Sequence, residues 1–141
     1  MRAITRAFVH CSESPDGRTD TVEDIRRWHT SPSPHDPSKP WSDIGYHWVI
    51  ERTGPPRPGR PMAIPGAHVG GHNHDSVGIC LIGTEEFTES QLHYLEGLMI
   101  ALEAEYPGIE FYGHRDADPG KTCPNFDVRT FRDERRANRI D

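Results

Sequence analysis

The sequence predicts an α/β protein, a single domain over residues 1–141 with a mixed central β-sheet flanked by helices. Three observations carry that prediction. Short apolar segments bounded by Gly, Ser, Asp or Pro are interleaved with amphipathic helical segments. One of them, VGICLIG, is apolar without a break, the mark of a strand covered on both faces. A chain of 141 residues is also long enough to bury a core without staples.

The elements follow in order. A first strand over 4–10 ends at a histidine. TDTVEDIRRWH comes next and offers N-cap residues, acidic first-turn residues, and an apolar stripe through Val22, Ile25 and Trp28. A second strand spans 46–51. There Tyr46, Trp48 and Ile50 alternate with His47, Val49 and Glu51, which puts the two sets on opposite faces, with Trp48 and Ile50 more buried than Tyr46. A third strand spans 77–82. Thr88 with Gln91 is a capping-box signature, followed by a stripe of Leu92, Leu95, Leu98, Met99 and Leu102. Pro107 and Gly108 stop that helix, and a fourth strand spans 109–112. A shorter helix starts near Asn125 and carries Val128 and Phe131 inward. The charged segment 132–141 reads as a solvated helix end or frayed tail.

Composition excludes several classes of function. A net charge of −6 argues against general nucleic-acid binding, which needs a basic stripe to displace counterions. No apolar run approaches the roughly 20 residues that span a bilayer. The first ten residues lack the apolar core of a signal peptide, so the expected first location is a cytoplasm. Three cysteines, Cys11, Cys80 and Cys123, are an odd number for a reducing compartment, and no disulfide framework is expected. Cys11 and Cys80 read as buried small hydrophobes.

Two strands end in a histidine, His10 in AFVHCS and His114 in FYGHRD, and Cys123 lies in a loop nine residues beyond His114. If the three met at one sheet edge they would form a three-ligand zinc site with an open fourth position, the arrangement of catalytic zinc. The alternative is a nucleophilic cysteine paired with a histidine, with Lys121 lowering the thiol pKa. Pro124 weakens that alternative, because it removes a backbone N–H that commonly serves an oxyanion hole. From these residues a metal ligand is favoured and the nucleophile stays open. His72 and His74 read as polar loop groups, and His29, His35 and His93 as surface histidines.

AFVHCS, IRRWH, DIGYHWVI, GAHVGGHNHDSVGICLIG and GHRDADPGKTCPNFD, in that order, resemble the zinc-dependent N-acetylmuramoyl-L-alanine amidases. That family includes the amidase-type phage lysozymes and the peptidoglycan recognition proteins. The likeness runs from about Ala7 to Phe131 and implies the fold of those proteins. It implies Zn2+ held by His10, His114 and Cys123, with Tyr46 and Lys121 as the catalytic pair. It also implies that His47, His68 and the loop containing Asn73 contact substrate. The substrate would be peptidoglycan, cut between N-acetylmuramic acid and L-alanine. Zinc would supply the nucleophile by lowering the pKa of its water toward about 7. Such a protein would act on the cell wall after release from the host cytoplasm, as a monomer, without membrane insertion.

The chain departs from that family in places. The segment SPSPHDPSKPW, within residues 31–42, is longer than in compact phage enzymes and lies beside the expected cleft. Prolines in TGPPRPGRP make the following strand short or confine it to an edge. Some phage relatives carry a longer N-terminal arm and also inhibit phage RNA polymerase, a role the short start here makes unexpected. The rival readings are a muropeptide-recycling amidase and a recognition module that binds peptidoglycan without cutting it.

Overall fold

The computed structural model describes residues 2–140, so Met1 and the final residue of the expected tail, Asp141, lie outside the described residues. The elements are β1 (Arg6–Cys11), α1 (Val22–His29), β2 (Trp48–Ile50), β3 (Arg57–Pro58), β4 (Ser76–Leu81), α2 (Glu89–Glu105), β5 (Glu110–Gly113), α3 (His114–Ala117) and α4 (Val128–Ile140). They build the expected mixed sheet flanked by helices, with strand order β3-β2-β4-β1-β5. β1 pairs in parallel with β4 and β5, and β2 pairs in parallel with β4. Only β3 is antiparallel, a two-residue strand at the edge where its proline costs no central hydrogen bond.

Strand alternation divides the molecule into two layers. On one face Ala7, Val9, Val77, Ile79, Leu81 and Ile50 pack against Leu95, Leu98, Met99 and Leu102 of α2 and Val128 of α4. On the other, Val49 and Cys80 meet Val22 and Ile25 of α1 together with Ile44 and Ile82. The helices begin where side chains satisfy their free N–H groups. Thr21 with Asp24 and Thr88 with Gln91 both form capping boxes. The Gln91 amide, fully buried, also donates to the Ile50 and Ile82 carbonyls and ties α2 to the ends of β2 and β4.

Three expectations change. Tyr46 precedes β2 rather than lying in it, and packs with the Val49 layer, opposite Trp48 and Ile50. Tyr46 and Trp48 are both half-buried, and Ile50 is fully buried. Trp28 is exposed at 37%, and the inward stripe of α1 is Val22, Ile25 and His29. The last helix starts at Val128, because Asn125 takes a left-handed φ of 69° and closes a turn onto Thr122 O. Asp127 then accepts the Thr130 N–H at 3.0 Å as the cap. Much of the expected tail belongs to this helix. Arg132 is buried, and Arg136 pairs with Glu103 at 3.2 Å. No helix among the described residues is long and apolar enough to cross a membrane.

Candidate active site

β1 and β5 run parallel with Val9 opposite Gly113. The next residue of each, His10 and His114, therefore emerge side by side at the carboxyl ends of the strands, where open α/β sheets place their crevices. Their Nδ1 atoms are 3.1 Å apart. Beyond β5 the chain turns through α3, a helix that no sequence pattern predicts, and doubles back. Arg115 N–H donates to Cys123 O at 2.9 Å and Lys121 N–H to Asp118 O at 2.9 Å. The Asn125 amide donates to Thr84 O at 2.8 Å, anchoring the loop to the segment between β4 and α2. Cys123 is thereby buried beside β1, and its sulfur accepts the Cys11 N–H at 2.8 Å. The potential ligand atoms of His10, His114 and Cys123 all lie within 4.8 Å of one another.

Two imidazoles and a thiol at this spacing are a donor set that zinc favours. Burial pushes His10 well below the usual histidine range, with His68 and His114 adding to it, and burial also lowers His114. Both imidazoles are then neutral, the form that binds a metal. The neighbouring Cys11 thiol, and then burial, push the Cys123 thiol far up. A free nucleophilic cysteine needs the opposite shift. A cation beside the sulfur would reverse it, so this environment suits a metal ligand better than a nucleophile.

The three side chains open onto a cavity of about 240 Å³. Tyr46 forms part of its wall, with its ring centroid 5.1 Å from that of His10. Burial, and then the surrounding thiols, raise the Tyr46 hydroxyl well above its ordinary value and keep it a protonated donor. Tyr46 reaches this wall because Gly45 lets two loops touch. A Cβ there would lie 2.3 Å from the Ala67 carbonyl oxygen. Lys121 is exposed and stands at the cavity's edge.

The residues expected to touch substrate divide. His68 lines the cavity, but its ring nitrogens face His10 and Ser76. His47 and Asn73 do not line it. His47 is 1% exposed, its Nδ1 accepts the Gly78 N–H at 3.0 Å, and its Nε2 lies 2.8 Å from Ile64 O. Asn73 Oδ1 accepts the N–H groups of His68 and Val69 at 3.0 and 2.9 Å, fixing the loop that carries His68. Both hold structure around the site instead.

His29, expected at the surface, lines the cavity. Its Nδ1 accepts the Gly45 N–H at 2.9 Å, and its ring packs 4.7 Å from Trp41. Burial lowers its pKa to about 4, with Lys39 and Arg60 adding to the shift. Its spacing of four from buried Ile25 was the available signal. Lys39 and Trp41 bring the proline-rich segment to the wall, beside the cleft as its sequence suggests, and Glu13, which no local pattern marked, lines it too.

The sequence model of N-acetylmuramoyl-L-alanine amidases matches residues 1–126. The chain is 37% identical over 137 residues to the endolysin of Enterobacteria phage T3, covering 91% of this chain and 85% of that protein. To the endolysin of Escherichia phage T7 it is 35% identical over 130 residues, 86% and 81% of the two chains. Among solved structures, the N-acetylmuramoyl-L-alanine amidase LysC from Clostridium intestinale superposes with a TM-score of 0.79 at 25% identity, over 99% of this chain and 87% of that one. Drosophila PGRP-LB superposes at 0.73 and 26% identity, over 88% and 76%. Family match, relatives and fold agree, and the chain belongs to the N-acetylmuramoyl-L-alanine amidase family.

Proposed function

We propose that this chain is a zinc-dependent peptidoglycan amidase of the phage endolysin type, cutting the amide between the lactyl group of N-acetylmuramic acid and L-alanine. The observation that carries the reading is the meeting of His10, His114 and Cys123 beneath a cavity walled by Tyr46 and edged by Lys121. The whole of residues 1–141 acts as one amidase domain and as a monomer, on the wall, after release from the host cytoplasm.

His10, His114 and Cys123 would hold zinc, which when bound lowers the pKa of water toward about 7 and so provides the nucleophile an unactivated amide needs. Tyr46 donates its hydroxyl proton as a hydrogen bond and orients the attacked carbonyl. Lys121 places an ammonium where the oxyanion develops and can pass a proton to the leaving amine of L-alanine. His68 and His29 crowd water from the wall.

Mass spectrometry of digested sacculi, with and without a chelator, tests the reading. New L-alanine amino termini that disappear on chelation are expected. Intact sacculi alongside cleaved soluble anhydro-muropeptides would replace it with a recycling amidase. Binding without any cleavage would replace it with a recognition module.

A further inference from the structure

The ring of His10 has two nitrogens, and the ligand cluster uses one. Nδ1 faces His114, while Nε2 lies 2.9 Å from Nδ1 of His68. The other nitrogen of His68, Nε2, is 3.3 Å from the Ser76 hydroxyl, which donates to the His72 carbonyl at 2.7 Å. That carbonyl can only accept, so the proton positions follow from the end of the chain backward. The Ser76 proton is committed to His72 O, and Oγ is left to accept from His68 Nε2–H. His68 then offers a bare Nδ1. His10 must donate from Nε2, which leaves its own lone pair on Nδ1, toward His114 and Cys123.

The surroundings hold His68 in this pose. Ser76 is fully buried. Gly78 lies under the ring, and a Cβ there would come within 2.7 Å of it. The His68 backbone N–H is tied to Asn73 Oδ1 at 3.0 Å. The two rings meet edge-on, at 85° with centroids 5.0 Å apart. Of the contacts that would hold His10 as a ligand, this is the one made on its far nitrogen.

We propose that His68 is a positioning residue for the metal centre, fixing His10 in the Nε2–H tautomer through a chain that runs His10, His68, Ser76, His72 O. The inference rests on the zinc reading above and gives His68 a task other than touching substrate. Metal-bound histidines generally lean on a carboxylate, a backbone carbonyl or water. A neutral imidazole in that place orients the ligand without adding negative charge, and the Cys123 thiolate already contributes one.

The test is zinc affinity, measured on the full chain by competition with a chromophoric chelator, with thermal unfolding of the metal-free proteins alongside. His68→Ala is expected to weaken zinc binding by about 10–100-fold. His68→Asn should recover most of that loss, because its amide oxygen falls where Nδ1 stood and can accept from His10. An alanine variant that binds zinc as tightly as wild type, or an asparagine variant no better than alanine, overturns the proposal. A second measurement needs no variant. In the zinc-loaded wild type labelled with 15N-histidine, His10 should be metal-bound at Nδ1 and protonated at Nε2, and His68 protonated at Nε2. A proton on His68 Nδ1 overturns the proposal. Failure of the wild type to bind zinc at all is a separate result, which removes the zinc reading itself.

Discussion

On the face of the sheet toward α2 and α4, Ala7, Val9, Val77, Ile79 and Leu81 are all 0% exposed and pack with apolar side chains of the helices. One residue along the same strands, Phe8, His10, Gly78 and Cys80 face the other way, toward histidines, Tyr46 and the cavity. Along β1 and β4 a single-residue step therefore crosses from this core to the layer that holds the site, part of which packs on α1 through Val49 and Cys80. The closed face is held by shape and apolar area, which many residue types satisfy approximately. The open face is held by hydrogen bonds between named atoms, and little can replace those. The closed face fixes where the strands lie, and the open face spends that rigidity on aiming His10 and His114.

The comparison breaks most visibly at the cluster. Cys123→Ser should abolish both zinc retention and lysis of sacculi, since an alcohol is a poor zinc donor beside two imidazoles. Lysis retained in that variant would overturn the zinc assignment. Lys121→Ala should keep zinc and thermal stability, because the side chain is exposed, and lose roughly 10²–10³ in kcat. Full turnover with zinc bound would remove Lys121 from the chemistry. On the closed face, Ile79→Ala should cost about 2–5 kcal/mol in urea unfolding. Activity per folded molecule should stay unchanged. If Ile79→Ala lowered it as far as Lys121→Ala does, the division between the two faces would be wrong.

What could be read in the sequence was what has a local cause. The Thr88–Gln91 box, the unbroken VGICLIG and the helix-stopping Pro107 each act within a few residues, and each element stands where expected. His10 and His114 were legible as strand ends, and Cys123 as the one cysteine in a loop. What was missed depends on partners far along the chain. Tyr46 leaves the strand because Gly45 packs on Ala67, and only the fold brings those two loops together. His29 and Trp28 both fit an apolar face by spacing, and the choice fell to His29 because Gly45 N–H and Trp41 wait for it. The blocks that carry His47 and Asn73 point to the cleft. Apart from the Arg2 guanidinium, 3.0 Å from His47 Nε2, their hydrogen-bond partners, Gly78, Ile64, His68 and Val69, are backbone groups that no side-chain pattern reveals.

His47 supplies the smallest test and sharpens the same contrast, since it is a histidine kept for structure beside histidines kept for the site. Its Nδ1 accepts the Gly78 N–H, so a proton there would set two donors against each other. Burial lowers its pKa from 6.5 to about 4, with Arg2 and Arg60 adding to the shift and the Ile64 carbonyl opposing it. The folded value lies below the unfolded one. The stabilisation is therefore complete above about pH 6.5 and is lost as the pH falls toward 4, where the unfolded chain has taken up the proton first. His29, lowered to about 4, and His68, lowered to about 3, push the same way. Each such proton contributes at most about 1.4 kcal/mol per pH unit. His47→Asn keeps an oxygen for the Gly78 N–H but cannot titrate. Urea unfolding of the metal-free proteins from about pH 7 to about pH 4 should find this variant less stable at neutral pH, having lost the Ile64 contact, and less sensitive to acid. Equal slopes for the two proteins would mean that His47 does not titrate with folding, and that its ring is held by packing rather than by the bond to β4.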